Sequence, residues 1–581
     1  MDLDTLFTNV GILRNELKVG VVSTVTAQMV KINLAHAGDV SGSYIEGARY
    51  GRGEVGELVL IEGQQAIALG RITEVRLPDR DRTELSQDFQ GSSQLDAIGY
   101  VQLLGSINTE HLKIQAGISA YPRLGDRVFS APTELLSALP QLMNDGVNSI
   151  TTTNVTINLG KVSGGEGSVI HVTPEKLFGR HCAILGSTGG GKSWTTAKVV
   201  EECAKFVGAK VIVIDATSEY RSLNNVSTIH HHLGSPLHKN DSSSEIRIPP
   251  TDFVESDFIA MFDPSGKVQG PKLKEAIKSL RLASLAPEIF PNGLVRKVGQ
   301  TKALYRQAMN AGNNSKLVDD PSEPFDVTKL SQQIVEECCW DNDDRWGVAN
   351  NDLGYCSSLL TRIQAVTYTP SLKSVFQSSE NLKTLTESLE DFFSSDMRVF
   401  RLCLSDVSYE FYAREILANV IGRKLLKFAR VERFRAMPLL TVVDEAHNFL
   451  GKRVGSEDHS TKLDAFELIA KEGRKYGLNI CLTTQRPRDI TEGVLSQMGT
   501  LLVHRLTNDR DREVVERACG EIDRSSASFL PNLKQGEVAV IGVDFPIPMT
   551  IQIDEPITRP LSDGPDFQKN WNPETDEVNF Y

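Results

Sequence analysis

The sequence predicts an α/β fold: a parallel, doubly wound sheet, preceded by a small β-barrel and interrupted by a helical insertion. Three observations lead there. Runs such as VIVID (Val211 to Asp215), LLTVVD (Leu439 to Asp444) and ICLTT (Ile480 to Thr484) are apolar without alternation. Strands of that kind are covered on both faces, as in parallel sheets. Helical patterns separate them, and the first 135 or so residues carry a different, glycine-punctuated rhythm.

In chain order, VGVVSTV (Val19 to Val25), ELVLIEG (Glu57 to Gly63) and AIALGRITEVRL (Ala66 to Leu77) are short strands set off by Gly51, Gly53, Gly56, Gly63 and Gly70. That spacing suits a small barrel or sandwich, and residues 1–165 are assigned to it. Leu77 to Asp96 reads as a polar loop. The parallel sheet takes 166–249 and 396–535, with strands HCAILG, VIVID, VFRLCL, LLTVVD, ICLTT and LLVHR. Helices lie between these strands, for example 413–428, with Ala413, Ile416, Leu417, Val420, Ile421, Leu425 and Phe428 on one face. Residues 250–395 lack β-branched runs and form the helical insertion, with Gly312 to Pro324 as a loop. The segment 536–581 returns to strands (EVAVIGV, MTIQID) and ends as a polar arm.

At 581 residues the chain exceeds a single core, which stops growing near ~250–300 residues. Its 75 acidic and 62 basic residues give a net charge of −13. A protein coating nucleic acid over its whole surface is basic instead, so any such contact must come from local basic loops. Eight scattered cysteines without a CxxC read as reduced thiols. The first residues lack the basic and apolar regions of a signal peptide, and no apolar run approaches the ~18–20 residues of a membrane span. The expectation is a cytoplasmic protein with no membrane contact.

GSTGGGKS (Gly186, Ser187, Thr188, Gly189, Gly190, Gly191, Lys192, Ser193) fits the Walker A pattern, with a strand before it and a helix from Ser193 and Trp194 onward. Glycines let backbone N–H groups turn onto phosphate oxygens, and the helix adds its positive end. Lys192 would reach the β- and γ-phosphates, and Ser193 would hold Mg2+. LLTVVDEAHNF supplies Asp444 for the metal shell and Glu445 as general base toward water, the pair expected of an ATP-hydrolysing enzyme. ICLTTQRP delivers Gln485 to the same carboxyl edge of the sheet, where it could sense the γ-phosphate or the water. His230, His231 and His232 lack partners at metal-site spacing and read as a polar loop. No nuclease constellation or nucleophilic triad stands out.

The set HCAILGSTGGGKS, VVDEAHNFL, AKEGRKYGLNICLTTQRP and LTNDRDREVVERA resembles the HerA branch of the HerA–FtsK ATPases, over about residues 178–525. The β-rich start resembles that family's amino-terminal barrel. The resemblance implies a RecA-like P-loop ATPase core and a hexameric ring that moves double-stranded DNA through a central channel using ATP and Mg2+, with a nuclease partner. It further implies that Arg474 is an arginine finger acting on a neighbouring subunit, with Lys475 as fallback. Arg180 would couple the subunit edge to the phosphates. Asp215 and Glu219 would line the nucleotide site or orient Arg180, within a stretch that reads SEY (Ser218 to Tyr220) where the family commonly has GEY. Lys452 and Arg453 are candidates for a DNA-facing loop. An alternative reading is an ATP-regulated assembly platform for a nuclease or NAD-consuming effector in antiphage defence.

Overall fold

A computed structural model describes residues 12–34, 43–45, 48–77, 97–108, 114–142, 155–163, 169–223, 227–234, 242–376, 381–451, 453–455, 461–518, 529–543, 545–562, 567 and 571. The polar loop expected after Leu77 falls at 78–96, outside the described residues, as does Lys452.

Seven strands make the first unit: β1 (Lys18–Val25), β2 (Met29–Leu34), β3 (Leu58–Ile61), β4 (Ala66–Arg76), β5 (Ala97–Asn108), β6 (Ile114–Ala116) and β7 (Arg127–Ser130). Their order is β2-β1-β7-β3-β4-β5-β6, and β2 also pairs with β5, so six strands close into a barrel. Closure removes the open edges that a sheet would expose. Val19, Val30, Ile32, Val59, Ile61, Ile72, Val101 and Val128 fill the interior. The opposite faces of β3, β4 and β7 are apolar too. Leu60, Leu69 and Phe129 belong to a second core shared with the large sheet, and Arg71 Nη2 donates to Pro548 O at 2.6 Å across the junction.

The second sheet has twelve strands: β8 (Ile157–Val162), β9 (Val169–Val172), β10 (Cys182–Leu185), β11 (Lys210–Asp215), β12 (Thr228–His232), β13 (Ser244–Glu245), β14 (Val399–Cys403), β15 (Leu439–Val443), β16 (Leu478–Thr484), β17 (Thr500–Val503), β18 (Glu537–Gly542) and β19 (Phe545–Ile553). The order is β9-β8-β19-β18-β17-β10-β16-β15-β11-β14-β12-β13. The eight strands from β17 to β13 run parallel, and the other four extend that edge antiparallel. Two sequence expectations change here. Residues 157–162, 537–542 and 545–553 belong to the ATPase sheet, not to the barrel unit or a separate arm, because they pair along its β17 edge. The three histidines form part of β12 beside β14 and are not a loop.

Helix α1 (Lys192–Cys203) follows β10. Within the insertion, α2 (Gly266–Leu285) and neighbouring helices share a core with the sheet. The insertion also carries a hairpin, Cys339–Asp341 with Trp346–Ala349, and a one-turn helix at Asn314–Leu317 inside the expected loop. Helix α3 (Ala413–Arg430) buries Ile416, Leu417, Val420, Ile421 and Leu425. Helix α4 (Ala465–Glu472) precedes β16. Among the described residues, no helix is long and apolar enough to cross a membrane. The seven described cysteines are buried and free of disulfides.

Candidate nucleotide site

Parallel register brings the motifs together. Leu185 pairs with Thr484, and Val443 pairs with both Leu482 and Ile214. The loops that follow β10, β11, β15 and β16 therefore leave the sheet at one edge. The Gly186–Ser193 loop wraps there. A Cβ at Gly186 would lie 2.5 Å from His504 Cβ, so no side chain fits. Gly189 has φ +76 and faces open space, while Gly191, at φ +104, caps α1. The loop is pinned from outside: Ser187 N donates to Arg505 O at 3.2 Å, and Gly536 N to Gly190 O at 3.4 Å. His504 is buried and meets Thr195 Oγ1 at 2.9 Å. Burial and the Lys192 charge push its imidazole down to about 4, so it stays neutral.

Lys192 Nζ lies 3.7 Å from Glu445 Oε1. Ser193 Oγ donates to Glu219 Oε2 at 2.7 Å. Trp194 is half-buried, with the Arg559 guanidinium 5.7 Å from its ring centre. Asp444 accepts from Thr483 Oγ1 at 2.7 Å. Burial, with Asp215 and Glu219 near it, pushes the Asp444 carboxyl up to about 8. Glu445 sits at φ +45. Its burial favours protonation, but His447 Nδ1 at 3.1 Å and Lys192 outweigh it and hold the carboxyl below its usual range. Gln485 bridges two motifs, donating from Nε2 to Glu445 Oε1 at 2.9 Å and accepting from Thr188 Oγ1 at 2.5 Å.

These residues fit a nucleoside triphosphate with a divalent cation. The glycine loop is a cradle that a Cβ would fill. Glu219 meets the Ser193 hydroxyl and also raises the buried Asp444 carboxyl, and a cation between them would relieve that repulsion. Among the described residues, no three His, Cys, Asp or Glu form a self-contained metal site. Magnesium at phosphate sites typically takes one or two carboxylates and completes its shell with phosphate and water.

The expectation for Asp215 is revised. Its carboxylate is taken up by Arg401 Nε at 2.7 Å and by the amides of Thr217, Glu219 and Tyr220 at 3.3, 3.2 and 3.1 Å. Glu219, not Asp215, reaches Ser193. Arg401 and His504 were missed by sequence reasoning. A charged residue inside the apolar run VFRLCL was the available signal for Arg401.

Arg180 and Arg474 do not join this cluster. Arg180 precedes β10 and Arg474 precedes β16, so both lie at the opposite edge of the sheet, about 13 Å away along a four-residue strand. They line one cleft of about 480 Å³ together with His181, Lys471 and Lys475. Arg474 and Lys475 are exposed. His181, at φ +67, accepts from Ile480 N through Nδ1 at 3.1 Å, and burial with the Arg474 charge pushes it down to about 4. Arg453 is exposed on a two-residue strand, Arg453–Val454.

Fold and site together define a P-loop ATPase. Residues 157–319 match the family described as "Helicase HerA, central domain". The chain is 24% identical to the DNA double-strand break repair helicase HerA of Saccharolobus solfataricus over 539 residues, covering 89% of this chain and 91% of that one. It is 23% identical over 473 residues to the probable DNA double-strand break repair helicase HerA of Methanocaldococcus jannaschii, covering 74% and 83%. The structure of VirB4 of Thermoanaerobacter pseudethanolicus covers 70% of the chain at 17% identity and TM-score 0.43, with 97% of VirB4 matched. Plasmid coupling protein TrwB in complex with ADP and Mg2+ covers 73% at 13% identity and TM-score 0.43, with 94% of TrwB matched. The chain is similar to HerA helicases in its central domain and over most of its length.

Proposed function

We propose that this chain forms a ring in which adjoining protomers share each MgATP site and hydrolysis drives movement along double-stranded DNA. The reading includes a nuclease or other effector partner, in DNA end processing or antiphage defence. The observation that carries it is the separation between Lys192 and Arg474. Each protomer displays a phosphate cradle at one sheet edge and a cationic cleft at the other. Head-to-tail packing that brings one against the next closes into a ring. The relatives' description as DNA repair helicases supports the substrate.

In this reading the loop amides, Lys192 and Ser193 hold the triphosphate and its cation, with Asp444 behind Ser193. When bound, the cation neutralises charge on the phosphate oxygens. Glu445, kept ionised by His447 and Lys192, takes the proton of the attacking water. Gln485 sets the Glu445 carboxylate in line with the Thr188 loop. Arg474, and Arg180 beside it, reach the neighbour's site and stabilise charge as the terminal phosphate leaves.

The test mixes Arg474→Ala subunits with Glu445→Gln subunits. Shared sites predict ATPase activity in the mixture above that of either variant alone. No recovery, with rings still formed, rejects the shared site. For DNA, displacement of a duplex-bound roadblock is measured with and without ATP. The net charge of −13 favours a second reading, an ATP-regulated platform that activates an effector without processive movement. An effector activated without any roadblock displacement selects it.

A further inference from the structure

Arg401 is among the largest side chains in the molecule with no solvent exposure. It sits in β14, between β11 and β12, in a run otherwise made of Val, Phe, Leu and Cys. Burying a guanidinium costs several kcal/mol of lost hydration unless its donors are satisfied. Here Nε donates to Asp215 Oδ2 at 2.7 Å, Nη2 to Ser218 Oγ at 3.0 Å, and Nη1 lies 3.4 Å from His230 Nδ1. Replacing such a pair with apolar groups is often neutral or stabilising, so stability alone gives little reason for it.

The partners supply a reason. Residues 216–220 turn around the Asp215 carboxylate, which accepts three of their amides. Ser218, at the centre of that turn, has φ +67, a left-handed conformation that a non-glycine residue adopts only when its surroundings hold it there. Arg401 holds the Ser218 hydroxyl and the Asp215 carboxylate at once. On one side of Ser218, Thr217 Oγ1 lies 3.5 Å from Asp444 Oδ2; on the other, Glu219 Oε2 accepts from Ser193 Oγ. Both side chains that touch the cation-side residues thus hang from a turn fixed by Arg401.

We infer that Arg401 is a positioning residue for the cation half of the nucleotide site: it locks the Asp215–Glu219 turn so that Thr217 and Glu219 set Asp444 and Ser193 for Mg2+. The inference rests on the nucleotide reading above. Partners behind metal-binding groups, when altered, commonly cost 10–100-fold in metal affinity.

The test measures binding of a fluorescent ATP analogue, with and without Mg2+, to the full-length chain carrying Glu445→Gln so that nothing is hydrolysed. Two further changes are compared on that background. Asp215→Asn with Arg401→Met removes the buried pair without stranding a charge. Arg401→Lys keeps the charge against Asp215 but replaces three nitrogen donors with one ammonium. The neutral pair should lose about tenfold of the Mg2+ enhancement, and Arg401→Lys about threefold, with Mg2+-free binding within about twofold of the parent. A purely structural role would lower the melting temperature and leave the Mg2+ enhancement of folded protein intact. That result in Arg401→Lys, which should fold even if the neutral pair does not, overturns the inference while leaving the nucleotide site standing. A parent that binds no nucleotide overturns both.

Discussion

Gln485 Nε2 lies 2.9 Å from Glu445 Oε1, tying the end of β16 to the acid that follows β15. His447 and Lys192 lower the Glu445 carboxyl more than Gln485 does and remain beside it whatever occupies position 485, so its charge does not hinge on the Gln485 side chain. Its direction does. Gln485→Ala should lower kcat about 10–100-fold, or about 1.4–2.7 kcal/mol in the barrier, with KM for ATP little changed. Steady-state phosphate release checks this. A raised KM with kcat intact would make Gln485 a binding group instead.

The two loop glycines should part company. Gly186→Ala drives a methyl into His504 and should abolish nucleotide binding or folding. Gly189→Ala meets no protein atom within 4 Å, so the fold bears only the strain of φ +76, a penalty of about 1 kcal/mol. Melting temperatures and ATP-analogue binding of the two variants should differ sharply. Equal effects would mean that contact with His504 does not define the loop.

Arg474→Ala should reduce kcat by about 10³-fold or more if the finger acts across a subunit boundary, with nucleotide binding to each protomer retained. Loss of kcat together with loss of the ring would assign Arg474 to assembly alone. Sedimentation separates that case from catalysis.

Glu57 predicts a pH effect. It lines a cavity of about 480 Å³ between barrel and sheet, with Arg71, Lys534 and Glu537. Burial raises its carboxyl from 4.5 to about 7, against hydrogen bonds from Ser130 and the Gly53 and Glu54 amides. The folded state therefore holds this proton more tightly than the unfolded chain. The associated stability is full below about pH 4.5 and is lost as pH rises through about 7. Glu57→Gln mimics the protonated form and should flatten that part of the melting-temperature profile, gaining up to about 2–3 kcal/mol near pH 8. A profile parallel to the parent's rejects the assignment.

The fold class was legible because uninterrupted strands such as VIVID and LLTVVD can only be covered on both faces, and the glycine loop names its own chemistry. Glu445, Lys192 and Ser193 cluster because each ends or follows a parallel strand. Asp215 misled because its position beside the loop is real but its carboxylate is consumed by Arg401, a partner 186 residues away in sequence. The strands at 157–162, 537–542 and 545–553 carry no local mark of which sheet they join.

By itself, the sequence determined the α/β class, the phosphate loop and the paired acids, since strand burial and glycine turns are local requirements written in adjacent residues. Only the tertiary structure decided that Arg180 and Arg474 face away from their own chain's phosphate cradle and that a buried arginine fixes the turn beneath the cation-side residues. Those facts depend on strand order and direction across the sheet, which residues distant in sequence set jointly and no single segment encodes.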